Sequence, residues 1–355
     1  MSRCAVVLAL ALMGSAVTGG AAAEAQAPRI SKPRPAPRDI PPMPALPPAA
    51  IDNSLAIGGN DIKARQVETR MTVEVMVNGH GPYRFLVDSG ADTSVVGLRL
   101  AQDLQLPLGT PVILNGMTAR SIVDRVRVGE LSLGQTSIRN LEVPALKEQD
   151  LGGDGMLGID TLTKQRLMLD FETLLIKVED PREPVKYLDG EIVITAQRRH
   201  GQLILTEARA AGLPIEAVID TGSEITIGNL ALRNKLVRNN RDKFWTVATT
   251  GVTGVTVNLE MAVISELRLG PVTLRNVTIA FADVPPFTVF GMSKQPSLLL
   301  GTDILATFRR VSLDFEARKV RFQLRKCGST GVELTTSPVP TLSRLSSTDD
   351  VACRR

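Results

Sequence analysis

The sequence is poor in aromatic residues and histidine. Only 3% of its 355 residues are Phe, Trp or Tyr, and the two histidines are His80 and His200. Proteins that bind nucleic acid usually combine a basic surface stripe with aromatic side chains that stack on bases. Here the formal net charge is only +4 and the basic residues are scattered. These scarcities argue against a nucleic-acid partner, and two histidines give no zinc-binding cluster.

Cysteine is also scarce, which excludes a disulfide-rich scaffold. Of the three cysteines, Cys4 lies in an apolar N-terminal segment, which leaves Cys327 and Cys353. Neither lies in a Cys-His pattern of the kind that supports a thiol nucleophile. In an oxidising compartment, the even count favours a disulfide between Cys327 and Cys353 over two free thiols.

The N-terminus has the organisation of a secretory signal over residues 1–23. Arg3 precedes an apolar stretch from Ala5 to Val17, and small residues follow at 21–23. An apolar stretch of 13 residues is shorter than the roughly 20 that span a bilayer. We expect a cleaved signal and a periplasmic or secreted protein without stable membrane insertion, with a retained anchor as the alternative. Residues 24–66 are predicted to be a linker or arm, since nine prolines fall within 28–48.

Two apolar segments each end in an Asp-Xaa-Gly tripeptide. Asp88-Ser89-Gly90 follows Phe85-Leu86-Val87, and Asp220-Thr221-Gly222 follows Ala217-Val218-Ile219. Three further landmarks recur in the same order after each tripeptide: Val128–Gly134 with Ile264–Gly270, Met156–Leu162 with Leu299–Leu305, and Leu169–Glu172 with Leu313–Glu316. The chain therefore contains an internal repeat. We predict one lobe over 67–185, a second over 186–326 and a tail over 327–355.

The secondary structure is expected to be mostly strand. Val, Ile, Leu and Thr fill short runs that are broken by Gly, Pro and Asn. Asn78-Gly79, Asn115-Gly116 and Thr250-Gly251 indicate hairpins. Short helices are predicted over 159–166 and 303–309, and the unmatched segment 281–295 is predicted to shape one side of a cleft.

A duplicated fold can bring one carboxylate from each copy together at a pseudo-twofold axis. Two carboxylates in contact cannot both stay ionised, so they share a proton and can activate a water molecule. Asp88 and Asp220 are the candidates for such a pair, and neither a cofactor nor a metal is needed for this chemistry.

The two Asp-Xaa-Gly motifs and their downstream Leu-Gly steps resemble those of the retropepsin-like aspartic peptidases, in a bacterial exported form with two units in one chain. The resemblance covers about residues 67–326 and implies an all-β fold of two pseudo-symmetric β-barrel lobes with a cleft between them. It implies an aspartic endopeptidase in which Asp88 and Asp220 hold the lytic water and Ser89 and Thr221 interlock beneath them, supported by Gly90 and Gly222.

The resemblance further implies that the hairpins at Gly116 and Gly251 are flaps over a bound polypeptide. Retropepsins reach two aspartates by dimerising, whereas this chain supplies both, so a monomer is expected. The first hairpin is poorer in glycine than a typical retropepsin flap, and neither hairpin has the tyrosine of a pepsin flap. A non-catalytic module that binds a peptide or an envelope component on the same fold is the alternative function.

Other motifs have simpler interpretations. Gly153-Asp154-Gly155-Met156-Leu157-Gly158 formally fits a dinucleotide fingerprint but lacks the βαβ context, and no nucleophile elbow of a serine hydrolase is present. Asp160 and Asp303 are predicted to be helix caps. Asp170 and Asp314 are predicted to be structural or to face a turn. For Asp92 and Glu224, a hydrogen bond to backbone or Arg near the site and simple exposure remain open.

Overall fold

The computed structural model describes residues 29–37, 50–52, 60–67, 70–134, 136–162, 165–179, 190–236, 244–325 and 333–336. The predicted signal segment, most of the arm and tail, and both candidate disulfide cysteines lie outside these residues. Strands make up 54% of the structure and helices 12%, and the strands form two closed six-stranded barrels. The predicted all-β, two-lobed fold is confirmed.

The first half of the chain forms thirteen strands and three short helices among the described residues. They are β1 (Arg34–Pro35), β2 (Ala50–Asp52), β3 (Asn60–Val67), β4 (Arg70–Val77), β5 (His80–Val87), β6 (Val95–Gly97), α1 (Leu98–Asp103), β7 (Val112–Asn115), β8 (Arg120–Val123), β9 (Arg125–Leu133), β10 (Thr136–Leu146), α2 (Glu148–Leu151), β11 (Gly155–Leu157), α3 (Ile159–Leu162), β12 (Arg166–Asp170) and β13 (Leu175–Glu179).

The barrel of lobe 1 has the strand order β4-β5-β11-β6-β10-β9, and it closes because β9 pairs with both β10 and β4. Strand β4 shows why the sequence folds in this way. Met71, Val73, Val75 and Val77 alternate along it and are almost fully buried, as the period of two requires. The turn that follows, Asn78-Gly79, has positive φ at both residues, which suits the tight hairpin to β5.

The second half repeats this plan. Its elements are β14 (Glu191–Thr195), β15 (Gln197–Arg199), β16 (Gln202–Ala210), β17 (Leu213–Ile219), β18 (Ile227–Gly228), α4 (Leu230–Leu236), β19 (Trp245–Thr250), β20 (Thr256–Leu269), β21 (Val272–Phe281), α5 (Pro285–Val289), β22 (Ser297–Leu300), α6 (Thr302–Leu305), β23 (Arg310–Asp314), β24 (Lys319–Gln323) and β25 (Glu333–Thr336). The barrel of lobe 2 has the order β16-β17-β22-β18-β21-β20, closed by pairing of β16 with β20.

A six-stranded sheet of order β14-β24-β23-β12-β13-β3 joins the lobes. At its centre β12 of the first half pairs with β23 of the second, in an antiparallel register centred on Met168 and Ser312. Two ion pairs flank that centre, the buried pair of Arg166 with Asp314 and the partly buried pair of Arg310 with Asp170. The structural interpretation of Asp170 and Asp314 is therefore confirmed, since both bind the opposite half.

Both predicted helices are shorter than the sequence suggested. The first spans Ile159–Leu162 and the second Thr302–Leu305, because Arg166 and Arg310 already begin the central strands. Helices α1 and α4 were not predicted. No helix of the described residues is long and apolar enough to cross a membrane.

Part of the predicted arm takes regular structure. Strand β1 pairs with β8 and extends the β7–β8 hairpin to three strands. Strand β3, most of which precedes the predicted start of lobe 1, pairs with β13 and β4.

Candidate active site

Each Asp-Xaa-Gly loop begins where two parallel strands end together. In lobe 1, β5 lies parallel to β11, and the backbone N–H of Asp88 donates to the carbonyl oxygen of Leu157 at 2.9 Å. In lobe 2, β17 lies parallel to β22, and the N–H of Asp220 donates to Leu300 at 3.0 Å. The matched Leu-Gly steps thus fix the point at which each aspartate leaves its sheet.

The structure brings Asp88 and Asp220 together at the junction of the lobes, where each carboxyl lies against the glycine of the opposite Asp-Xaa-Gly loop. The two residues are only 9% and 7% exposed. The approach requires glycine on both loops. A Cβ at Gly90 would lie 2.6 Å from Cγ of Asp220, and a Cβ at Gly222 would overlap the Asp88 carboxyl.

Ser89 and Thr221 interlock beneath the carboxyls, as the resemblance implied. The Ser89 N–H donates to Oγ1 of Thr221 at 2.9 Å, and the Thr221 N–H donates to Oγ of Ser89 at 3.2 Å. Each hydroxyl in turn donates to a carbonyl oxygen of the opposite lobe, that of Ile219 and that of Val87. Because all four groups are buried and partnered, this network holds the two loops in one relative position.

Backbone N–H groups orient each carboxyl through a single oxygen. Oδ1 of Asp88 accepts from Gly90 at 2.8 Å and from Ala91 at 3.0 Å. Oδ1 of Asp220 accepts from Gly222 and Ser223, both at 3.1 Å. The two loops thus present their carboxyls in the same way.

The electrostatic surroundings of the two carboxyls differ. Burial, together with the negative charge of Asp88, raises the pKa of Asp220 to about 8. Burial also raises the pKa of Asp88, but the N–H groups of Gly90 and Ala91 and the positive charge of Arg70 oppose this rise. Near neutral pH the pair therefore favours one shared proton over two ionised carboxylates.

The prediction that Asp160 and Asp303 cap helices is wrong. Each carboxylate instead binds the segment that follows the Asp-Xaa-Gly loop of its own lobe. Asp160 accepts from the backbone N–H of Ser94 and from its Oγ at 2.7 Å. Asp303 accepts from the N–H of Thr226 at 3.0 Å and from its Oγ1 at 2.6 Å. These contacts stabilise each Asp-Xaa-Gly loop from within its own lobe.

Asp92 and Glu224, which were left open between a hydrogen bond near the site and simple exposure, both bind side chains of the opposite lobe, although Asp92 is also exposed. Glu224 forms an ion pair with Arg70, with 2.7 Å between Oε1 and Nη2. Asp92 accepts a hydrogen bond from the side-chain amide of Gln202. Arg70 and Gln202 were missed by sequence reasoning. The signal that could have found them is their equivalent place at the starts of β4 and β16.

The two candidate flaps meet at their tips. Gly116 lies between β7 and β8, and Gly251 follows β19. A Cβ at Gly116 would lie 3.6 Å from Cγ2 of Val252, and a Cβ at Gly251 would overlap Oγ1 of Thr118. The hairpins at which the resemblance placed flaps therefore contact each other across the lobe boundary.

Each tip also packs against the opposite lobe. Met117 contacts an apolar cluster of lobe 2 that includes Val218 and Leu299, and Val252 contacts a cluster of lobe 1 that includes Leu86 and Met156. Leu86 and Val218 each lie two residues before one member of the Asp88–Asp220 pair, which is called the dyad below. The tips thus reach the apolar surroundings of both Asp-Xaa-Gly loops.

The segment 281–295 breaks the symmetry. It contains α5, which contributes Phe287 to the lobe 2 cluster and lies against β7 of lobe 1. No group of three or more His, Cys, Asp or Glu side chains is placed to hold a metal ion in the part of the chain that the structure describes.

A family model described as aspartyl protease matches residues 73–161 and again residues 206–304. Each matched stretch includes one Asp-Xaa-Gly loop and one Leu-Gly step. A search of curated proteins found no match.

Proposed function

Because the chain belongs to the aspartyl protease family, we propose that it is an aspartic endopeptidase whose catalytic residues are Asp88 and Asp220. One observation carries the proposal. Two buried carboxyls, one from each lobe, lie together on loops that are joined by the hydrogen bonds between Ser89 and Thr221.

The reaction needs one ionised and one protonated carboxyl. The ionised carboxylate takes a proton from a bound water, and the water oxygen attacks the carbonyl carbon of the peptide bond. The protonated carboxyl gives its proton to the carbonyl oxygen, so that a neutral diol forms. Because the single negative charge of the dyad stays on carboxyls already oriented by backbone N–H donors, little reorganisation is needed during the step.

The second half of the reaction reverses these roles. The carboxyl that took the water proton gives it to the amide nitrogen, and the C–N bond breaks. The other carboxyl takes a proton from one diol hydroxyl, which becomes the carbonyl oxygen of the new acid. The products are a carboxylic acid and an amine, and the dyad returns to its starting state with one proton.

The substrate class follows from the surroundings of the dyad. A polypeptide bound in extended form would lie between the Asp-Xaa-Gly loops and the hairpin tips at Gly116 and Gly251. The chain would act as a monomer on exported or envelope proteins in the periplasm or outside the cell, in accordance with its signal-like N-terminus. Neither a cofactor nor a nucleic-acid partner enters this scheme.

Cleavage of an unfolded protein tests the proposal. The mature chain is incubated with that protein and with a peptide library from about pH 3 to about pH 8, and products are identified by mass spectrometry. We expect internal peptide-bond cleavage that pepstatin inhibits and that Asp88→Asn abolishes. Peptide binding without cleavage at any pH would instead support the non-catalytic binding module.

A further inference from the structure

The two lobes place different side chains at one equivalent position beside the dyad. Thr72 pairs with Leu86, and Ile204 pairs with Val218, in each case two residues before the dyad aspartate. The residue two positions before Thr72 is Arg70, and the residue two positions before Ile204 is Gln202. The two lobes therefore share the same strand pairing at this position, but the side chain is positively charged in lobe 1 and neutral in lobe 2.

Both side chains reach across the lobe boundary to the opposite catalytic loop. Arg70 binds Glu224, the fourth residue after Asp220, and also donates to the carbonyl oxygen of Leu151 at 3.2 Å. Gln202 binds Asp92, the fourth residue after Asp88. One contact is an ion pair and the other pairs a carboxyl with a neutral amide. The guanidinium of Arg70 is consequently a fixed positive charge on one side of the Asp88–Asp220 pair.

The position of this cation bears on how the shared proton is distributed. A dyad with one negative charge can carry it on Asp88 or on Asp220, and a nearby cation stabilises the form with the charge closer to it. The charge of Arg70 acts on Asp88, whereas the fixed groups that act on Asp220 include no cation among the described residues. The Arg70 side chain is only 17% exposed, so solvent screens its charge less than that of a surface arginine.

We propose that Arg70 is a positioning residue that keeps the negative charge of the dyad on Asp88 and the shared proton on Asp220. This inference rests on the proposed function and assigns the two roles within it. Asp88 activates the water, and Asp220 donates to the carbonyl oxygen of the substrate.

Other charged groups near the two catalytic loops modify the effect of Arg70 on the dyad. Glu224 partly neutralises Arg70 and thereby weakens its action on the dyad. Asp92 contacts Gln202, and partial burial of its carboxyl raises its pKa, while the hydrogen bond from Gln202 and the charge of His200 lower it. Gln202, the residue at the place equivalent to Arg70, is neutral and supplies no positive charge on its side of the dyad.

Three substitutions separate this role from a purely structural one. Arg70→Gln reproduces the residue type of lobe 2, so the acidic limb of the kcat/KM profile should move to higher pH. Glu224→Gln removes the counter-charge of Arg70, and the same limb should move to lower pH. A limb that moves by one pH unit changes kcat/KM about tenfold on that side. Gln202→Arg should place a positive charge at the equivalent position of lobe 2 and thereby lower the pKa of Asp220.

A control variant is Arg310→Gln, which removes a different cross-lobe ion pair, in the central sheet. It should lower stability and leave the pH profile in place. If Arg70→Gln and Glu224→Gln lower stability in the same manner without moving the acidic limb, Arg70 only braces the lobes and the proposal is wrong.

A second measurement does not depend on turnover. Carboxyl ¹³C resonances of the dyad, assigned with Asp88→Asn and Asp220→Asn, report which residue ionises first. We expect Asp88 to ionise at lower pH than Asp220 in the unmodified chain, with a smaller difference in Arg70→Gln. Ionisation of Asp220 first would overturn the inference even in an active protease. Absence of cleavage would contradict the proposed function and leave this titration to decide the inference.

Discussion

Ser89 and Thr221, 132 residues apart in the chain, each donate a backbone N–H to the hydroxyl of the other. The pair lies where the two lobes meet, and neither hydroxyl is exposed. The same hydroxyls donate to Ile219 and Val87, the residues just before the dyad aspartates. The geometry of the dyad is therefore set by contacts that only the assembled lobes can make.

Thr221→Val should destabilise the protein markedly. The substitution keeps the shape of the side chain but leaves the N–H of Ser89 and the carbonyl of Val87 without partners, at about 1–3 kcal/mol for each buried group. Urea denaturation measures the loss. Thr250→Val is the matched control, because its hydroxyl bonds Thr256 on the surface, and the change should stay within about 0.5 kcal/mol. Equal effects of the two variants would contradict the interlock.

Much of the architecture could be predicted because short local motifs identify the internal repeat. Asp-Xaa-Gly after an apolar run, the Leu-Gly step and the hairpin turns depend on residue types at fixed spacing, so both lobes and the positions of Asp88 and Asp220 followed from the sequence. Helix lengths did not follow, because Arg166 and Arg310 are drawn into strands by pairing between the halves.

Contacts between segments that are distant in the sequence were the part that sequence reasoning could not predict. Asp160 and Asp303 looked like caps since they open short helices, yet their carboxylates bind Ser94 and Thr226, more than 60 residues earlier. Arg70 belongs to none of the sequence motifs. Its role depends on Glu224, a partner that only the folded chain brings near.

Stability should fall as the pH rises from about 4 to about 8. Burial raises the pKa of Asp220 from 3.8 to about 8, so between these values the folded state holds more protons than the unfolded state. Under that condition the free energy of unfolding decreases with increasing pH. Asp220→Asn removes this titration and should be more stable than the unmodified chain at pH 7, by a few kcal/mol.

Guanidinium denaturation at about pH 4 and about pH 7 checks this prediction. The gain from Asp220→Asn should be largest at the higher pH and small at the lower one. A gain that is independent of pH would mean that the Asp220 carboxyl does not titrate between these values.

The hairpin tips should contribute to substrate binding rather than to global stability. Val252→Ala shortens the side chain that packs against lobe 1, so the closed arrangement of the hairpins loses about 1 kcal/mol. We expect KM to rise about fivefold with little change in the urea midpoint. Val255→Ala on the same hairpin is the control, because Val255 is 39% exposed. Similar KM values for both variants would argue against a role of the tip contact.

Cys327 and Cys353 remain predicted to form a disulfide. It would close a loop of about 26 residues and stabilise the chain by roughly 3 kcal/mol in the loop-entropy model. Non-reducing peptide mapping of the exported protein should recover the two cysteines in one linked peptide pair. Recovery of both as alkylated thiols would exclude the bond.

The central claim is that Asp88 and Asp220 act as one catalytic unit, and turnover by three variants tests it most directly. Asp88→Asn and Asp220→Asn should each abolish peptide cleavage while the fold and the binding of extended peptides persist. The double variant should be scarcely worse than either single one, because residues that act as a unit are strongly non-additive. Near-normal turnover by Asp220→Asn would contradict the account, since lobe 2 would then supply no catalytic carboxyl.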